Sequence, residues 1–269
     1  MHPQEYAERN REAWNQVMPI HRQQSKTDLR EAVKSDDFST LDAIETAMFE
    51  KLSVRQKTVA QLCCNNGREL ISVVNLGATR GVGFDISDEA IKEATLLASL
   101  SNTHCEFVRT NVYDMDPAYF NQFDLVYITI GTLCWFDDLQ RLFQVVAQLL
   151  RENGHLFLYE MHPFLDLFAL PAEEPYDPQN ELKIAYSYFK ADPFVDTNGL
   201  DYIGNTTYEA KTTYSFPHTI SATFTAILNN KLAVREFQEY PHDISLDFRY
   251  LEKYQMLPMC YTLLAQKCA

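Results

Sequence analysis

The sequence predicts an α/β domain built on an open, mostly parallel sheet, and three features carry that prediction. Short apolar runs of strand length alternate with helix-period segments from Thr58 to Met161, as expected of strands covered by helices on both faces. The run Thr58–Leu62 breaks into a tight turn at Asn65-Asn66-Gly67 and resumes as a helix from Arg68. Val82, Phe84 and Ile86 surround Asp85, which places a carboxylate at the carboxyl end of the next strand. In parallel neighbours, that acid and that turn meet beyond the sheet, where a carboxylate can accept hydrogen bonds from both hydroxyls of a ribose.

The remaining elements follow in order. Residues Glu5–Gln24 form a helix with Tyr6, Trp14, Val17, Met18 and His21 on one face, and a second helix spans Leu41–Leu52 from a cap at Ser39 or Thr40. Ser87 caps the helix after Asp85, with Asp88 and Glu89 favoured by its dipole. Strands follow at His104–Thr110 and Phe123–Thr132. Asp137 and Asp138 open a helix whose stripe runs from Leu139 to Leu150 and whose end is marked by Asn153-Gly154. A fifth strand, His155–Met161, leads into Glu160-Met161-His162-Pro163. The stretch from Phe164 to Pro217 is too long for an ordinary connection and is rich in Phe and Tyr, so it reads as a lid. Alternation at Ile184, Tyr186, Tyr188 and at Tyr208, Thr212, Tyr214 suggests strands, with turns at Asn198-Gly199 or Gly204-Asn205. A helix at His218–Leu228 and strands at Leu232–Tyr240 and Pro258–Gln266 close the chain. Four parts result: a helical cap (1–54), a core (55–163), a lid (164–217) and the closing part of the core (218–269).

Bulk properties narrow the function. A chain of 269 residues is long enough to bury roughly 70–75% of its unfolded surface. Its six cysteines show no Cys-x-x-Cys pair and read as reduced thiols of a cytoplasmic protein without a metal. The apolar run Leu125–Phe136 is too short to span a bilayer, so no membrane association is expected. A formal charge of −14 would repel a phosphate backbone, which disfavours nucleic acid and favours a small molecule as substrate. A monomer and a homodimer are equally compatible with the sequence.

Which nucleoside is bound turns on the glycines. A dinucleotide site wants three spaced glycines so that a pyrophosphate can rest on bare backbone. The corresponding positions here are Cys63, Asn65 and Gly67, which counts against a nicotinamide-dependent oxidoreductase. Gln61-Leu62-Cys63-Cys64-Asn65-Asn66-Gly67-Arg68-Glu69, followed by Gly83-Phe84-Asp85-Ile86-Ser87, resembles the class I S-adenosylmethionine (SAM)-dependent methyltransferases. In particular it is similar to a branch of small-molecule methyltransferases with an Asn-Asn-Gly-Arg-Glu turn. Gln61 stands where that family commonly has an acid, and Cys63 where it has its first glycine.

The resemblance implies a Rossmann-like sheet with N-terminal helices and an aromatic-rich lid after the fifth strand, SAM as methyl donor and S-adenosylhomocysteine as product. It implies that the turn from Gln61 through Leu62, Cys63, Cys64 and Asn65 to Gly67 passes under the methionine part. Asp85 and Ile86 would hold the ribose, Asn111 and Val112 would lie at the adenine, and Thr129 and Ile130 would line the cofactor from the fourth strand. The run Thr129-Ile130-Gly131-Thr132 fits neither the Asp/Asn-Pro-Pro-Tyr run of base-nitrogen methylases nor the carboxylate of divalent-metal O-methyltransferases. N-terminal helices often close over the cofactor in this family, which would bring Trp14 and His21 to the site. His162, beyond the fifth strand, is placed as a general base, with His21 as the second candidate. Glu160, Trp135 and His218 are candidates for contacting the acceptor, which the aromatic lid suggests is apolar or aromatic. Alternatives for these residues are ordinary ones: Trp14 and Trp135 as packing, Asn111 as a turn residue, His162 as a strand-end cap. Gln61 and Cys63 also keep open a non-methylating SAM-binding protein on the same fold.

Overall fold

The alternation of strands and helices closes into one seven-stranded sheet, seen in a computed structural model that describes residues 3–204 and 206–268. Helices α1 (Pro3–Gln24), α2 (Leu29–Ala32) and α3 (Ala43–Lys51) precede it. The parallel part contains β1 (Thr58–Leu62), α4 (Arg68–Asn75), β2 (Arg80–Asp85), α5 (Asp88–Ser101), β3 (Cys105–Arg109), β4 (Phe123–Ile128), α6 (Leu139–Leu149) and β5 (Leu150–Met161). A small hairpin, β6 (Phe194–Asp196) and β7 (Thr213–Ser215), lies in the long insertion. Then come α7 (Ile220–Asn229), β8 (Leu232–Tyr240), α8 (Arg249–Glu252) and β9 (Cys260–Lys267).

The strand order is β3-β2-β1-β4-β5-β9-β8, with β9 antiparallel to both neighbours. Because β1 lies between β2 and β4, this is where the winding reverses, and the crevice beyond the carboxyl ends of β1 and β4 is the place for a ligand. Both faces of the sheet are covered. Ala60, Leu62, Val82, Phe84, Val126 and Ile128 face one layer with Leu142, Phe143 and Val146 of α6. Val59, Leu125, Tyr127 and Phe157 face the other with Met48 and Phe49 of α3 and Leu70 and Val73 of α4.

Helix α1 ties the insertion to the core. The Asn10 amide stands in for a strand neighbour: its Nδ2 donates to the Tyr214 carbonyl at 2.8 Å, and its Oδ1 accepts from the Tyr214 N–H at 2.9 Å. One turn and a half further on, Asn15 Oδ1 accepts from the Ser87 hydroxyl at 2.8 Å. The helix is thus fixed across the mouth of the crevice by hydrogen bonds as well as by packing.

Several boundaries differ from the sequence reading. Asp42, rather than Ser39 or Thr40, caps α3, because only there does a capping box form with Glu45 three residues on. Helix α6 ends at Leu149, and Asn153-Gly154 lies inside β5, where Asn153 (φ 61°) takes a left-handed conformation at a register shift against β4. No strand forms at 184–188, since the Ala185 and Tyr186 N–H groups both donate to the Leu167 carbonyl, at 2.8 and 3.1 Å, instead of entering a ladder. Of the second alternation only Thr213–Ser215 is paired. The expected turn at Gly204-Asn205 cannot be placed, as Asn205 lies outside the described residues. Among the described residues no helix is long and apolar enough to cross a membrane, and no group of His, Cys, Asp and Glu is placed to hold a metal.

Candidate functional site

At the carboxyl end of β1 the chain turns sharply, and it does so with the wrong residues for an easy turn. Cys63 (φ 51°) and Asn65 (φ 50°) both adopt the left-handed conformation, at a cost of roughly 1–2 kcal/mol for a residue such as Cys. The backbone shape that two glycines would have given is therefore kept without them. Gly67 (φ 74°) is required for a different reason from ligand approach, because a Cβ there would lie 2.3 Å from the Phe107 ring. The turn also reaches β2, where Asp85 Oδ2 accepts from the Asn65 N–H at 2.8 Å and Oδ1 from the Ser87 N–H at 2.8 Å. Burial pushes the Asp85 carboxyl up, and the N–H groups of Ser87, Asn65 and Ile86 oppose that shift. The carboxylate is held in place while lone pairs remain for a ligand.

Gln61, one residue before the end of β1, is fully buried, and neither Oε1 nor Nε2 has a hydrogen-bond partner among the described residues. It lines the same cavity as Asp85. An amide left so costs on the order of 1–3 kcal/mol, so its position is paid for elsewhere unless a ligand satisfies it.

The cavity has a volume of about 850 Å³, near the upper end of the roughly 300–1,000 Å³ usual for ligand pockets. Its floor is the loop after β4, and Glu160 of β5 shapes that loop. Glu160 Oε1 accepts from the Gly131 and Met161 N–H groups at 2.5 and 3.0 Å, and Oε2 from those of Thr132 and Leu133 at 2.9 and 3.1 Å. With four backbone donors on it, Glu160 positions the wall and has little capacity left for a substrate, which corrects its reading as an acceptor contact. Gly131 (φ 75°) faces open space within the wall.

The structure brings most of the sequence candidates to this cavity: Gln61, Cys63, Cys64, Asn65, Asp85, Ile86, Asn111, Val112, Thr129 and Ile130 from the strand ends. Asn111 is half committed, since its Oδ1 accepts from the Tyr113 N–H at 3.0 Å as the cap of a short 3-10 helix. Trp14 and Trp135 meet edge to face, with centroids 5.7 Å apart, and both line the cavity. His21 lines it too, with Nε2 2.9 Å from the Leu200 carbonyl and its ring against Tyr202; burial holds its pKa below the usual histidine value. His218 lines the opposite wall and donates from Nε2 to the Phe136 carbonyl at 2.7 Å, so a cap on the 3-10 helix at Leu133–Trp135 is one of its roles.

Three candidates lie elsewhere. Leu62 is core, fully buried among the residues facing α6. Gly67 packs under Phe107. His162 does not line the cavity: its Nδ1 accepts from the Phe164 N–H at 3.1 Å, and its Nε2 lies 3.1 Å from Glu239 Oε1. The ring caps the 3-10 helix Pro163–Leu167, so both nitrogens are used and the general-base assignment fails.

Among the cavity residues that the sequence did not single out, Arg68 and Asp166 carry charge at the site. Arg68, at the start of α4, lines the cavity and pairs through Nε with Glu69 at 2.7 Å. Asp166 lines it from the 3-10 helix after β5, and burial, reinforced by the charge of Glu160, pushes its carboxyl up to about 7. The available signal was a lone acid within the apolar run from Pro163 to Leu170.

Known proteins share this fold. Residues 61–156 match the family model described as a methyltransferase domain. A structure from Listeria monocytogenes assigned to the S-adenosylmethionine-dependent methyltransferases superposes with a TM-score of 0.64 at 18% identity, covering 84% of this chain and 97% of that one. A SAM-dependent methyltransferase from Methanosarcina mazei gives 0.58 at 15% identity, with 85% and 98% covered. Geranyl diphosphate C-methyltransferase from Streptomyces coelicolor, solved with Mg2+, geranyl diphosphate and S-adenosyl-L-homocysteine, gives 0.56 at 13% identity, with 95% and 98% covered. The fold is that of the class I SAM-dependent methyltransferases. Among curated proteins, the tRNA U34 carboxymethyltransferase of Campylobacter lari is 28% identical over 109 residues, 40% of this chain and 37% of that protein. The chain thus spans little more than a third of the length of the curated relatives it matches.

Proposed function

We propose that the protein is a SAM-dependent methyltransferase acting on a small, apolar or aromatic molecule. The observation that carries this reading is the pairing, at one cavity, of a ribose-ready carboxylate on Asp85 with the buried, unpartnered amide of Gln61. When bound, S-adenosylmethionine supplies a sulfonium methyl open to displacement. Asp85 would hold the ribose, the 63–65 turn and Gln61 the amino-acid end, and Asn111 and Val112 the adenine. Arg68 is a cation at the same cavity, suited to a carboxylate. The protein's contribution to rate is alignment and exclusion of water, which can supply about 7–11 kcal/mol in favourable cases. Trp14 and Trp135, with the hairpin of the insertion, form the water-excluding side.

A small acceptor is supported by the apolar walls and by the formal charge of −14, which opposes a polyanion. The names of the curated relatives point instead to a tRNA base, and that reading belongs in the same experiment. Calorimetric titration with S-adenosylhomocysteine, a nicotinamide dinucleotide and bulk tRNA should show micromolar binding of the first alone. Binding of the dinucleotide alone would sink the methyltransferase reading, and tight tRNA binding would replace the small acceptor.

A further inference from the structure

The cationic side chains lining the cavity all precede residue 129 in the chain, where Asp28, Glu69, Asp85 and Glu93 accompany them. The basic ones, Arg22, Lys26, Arg30 and Arg68, all come from the end of α1, the segment after it and the start of α4. From residue 129 onward the lining contains carboxylates and no Lys or Arg. Most of those carboxylates are occupied. Glu160 holds the floor loop; Glu173 accepts from the Leu170 N–H at 2.7 Å and the Tyr186 hydroxyl at 3.3 Å; Asp137 accepts from the Tyr113 hydroxyl at 3.2 Å. Asp196 accepts from the Asn198 N–H at 2.8 Å; the Asp247 carboxylate has no partner among the described residues but is exposed to solvent. Asp166 differs from these in being both half-buried and unpaired: among the described residues its side chain has no hydrogen-bond or ion-pair partner.

We infer that the acceptor is an amine on an apolar or aromatic body, and that Asp166 receives its ammonium group. This deepens the methyltransferase reading and rests on it. The chemistry favours an amine for two reasons. A carboxylate or phosphate placed at Asp166 would meet like charge from it and from Glu160, while Arg22, Arg30 and Arg68 of the same cavity are already paired with Glu93 and Glu69. An ammonium group, by contrast, would find an unpaired carboxylate in a cavity also lined by aromatic rings, which attract cations.

Transfer requires a free lone pair, because an ammonium nitrogen has none. The carboxylate of Asp166 takes one proton from the bound ammonium, leaving a neutral amine. A nitrogen–carbon bond then forms to the methyl group as the carbon–sulfur bond of the sulfonium donor breaks, with that electron pair staying on sulfur. The product is an N-methylated ammonium and a neutral thioether, so charge and atoms balance. An Asp carboxyl raised to about 7 is suited to holding that proton near neutral pH.

The test uses matched probes on the full chain, with and without saturating S-adenosylhomocysteine: 2-phenylethylamine, 2-phenylethanol and 3-phenylpropionate. The amine should bind at least tenfold more tightly than the alcohol, and the acid should not bind measurably. Asp166→Asn should remove the preference for the amine while leaving the affinity for S-adenosylhomocysteine unchanged, which also shows that the variant is folded. Asp166→Glu should recover part of the preference. The inference is overturned if the alcohol or acid binds as well as the amine, if none of the three binds, or if Asp166→Asn keeps the preference. Loss of S-adenosylhomocysteine binding in the wild type would instead strike the methyltransferase reading.

Discussion

The two ends of the cavity are built by different means. At the end proposed for the nucleoside, main chain does the shaping: Cys63 and Asn65 of the turn are held in a left-handed conformation, and Asp85 is clamped by the N–H groups of Asn65 and Ser87. At the end proposed for the acceptor, side chains from distant segments meet: Trp14 of α1 against Trp135 after β4, His21 against Tyr202, and Asp166 on the 3-10 helix Pro163–Leu167. The first end is specified by local turns and strand register, and it keeps its backbone shape with Cys63 and Asn65 at left-handed positions that glycine would fill more easily. The second is specified by which side chains arrive, so it is where a change of acceptor would be accommodated.

The sharpest way to break this comparison is to strike each end separately. Asp85→Ala should reduce affinity for S-adenosylhomocysteine by about 100-fold or more, consistent with loss of a charged partner to two hydroxyls at ~2.7 kcal/mol. Trp14→Ala should change that affinity by no more than a few fold while weakening acceptor binding. Titration calorimetry of both variants checks the pair. Equal losses would mean that the ends are one unit.

A second effect belongs to the foundation of the nucleoside end. Glu45 of α3 is buried and accepts from the Tyr127 hydroxyl of β4; burial pushes its carboxyl up to about 7, against the lowering influence of Tyr127 and of the Asp42 N–H. Because the folded-state value exceeds the unfolded one, the folded state binds more protons between about pH 4.5 and 7. Its contribution to stability is full below that window and is lost as pH rises through 7. Glu45→Gln should flatten the decline, worth on the order of 1–3 kcal/mol, in denaturant unfolding from pH 4.5 to 8. An unchanged slope would show that Glu45 is ionised in place.

Gln61 gives a smaller, two-sided signal. Gln61→Leu removes a buried amide without partners and should raise unfolding stability by about 1 kcal/mol. The same change should weaken S-adenosylhomocysteine binding by roughly tenfold, the worth of about 1.4 kcal/mol. Stability gained with affinity unchanged would make Gln61 a packing feature and remove the observation on which the proposed activity leans.

Legibility in the sequence follows the same division. The strand β1, the turn after it, the start of α4, the Ser87 cap and the run of β8 were readable because period, turn chemistry and capping are local. Asp85 was placed correctly because one strand fixes one side chain. The end of α6 was misplaced because Asn153-Gly154 is equally good chemistry for a helix stop and for a bulge, and only pairing with β4 decides between them. Alternation at Ile184, Tyr186 and Tyr188 suggested a strand, yet the available backbone partner was the Leu167 carbonyl. Asp166 was passed over because its meaning depends on which neighbours leave it unpaired, a property of the folded chain alone.

The smallest expected effect is the most instructive, because it concerns the residue that sequence position favoured most. His162 follows the fifth strand, where an open α/β sheet presents catalytic groups. Its Nδ1 accepts from the Phe164 N–H, which leaves the ring proton on Nε2, directed at Glu239. Burial holds its pKa below the usual histidine value, with Glu239 acting in the opposite direction. His162→Asn keeps a side-chain oxygen for the cap and loses a contact to a half-exposed carboxylate, worth at most about 1 kcal/mol. Turnover should therefore stay within about twofold of wild type, whereas removal of a general base costs typically 10²–10⁴-fold. A loss in that range, with S-adenosylhomocysteine affinity intact, would mean that the 3-10 helix rotates on acceptor binding and brings His162 into the cavity beside Asp166.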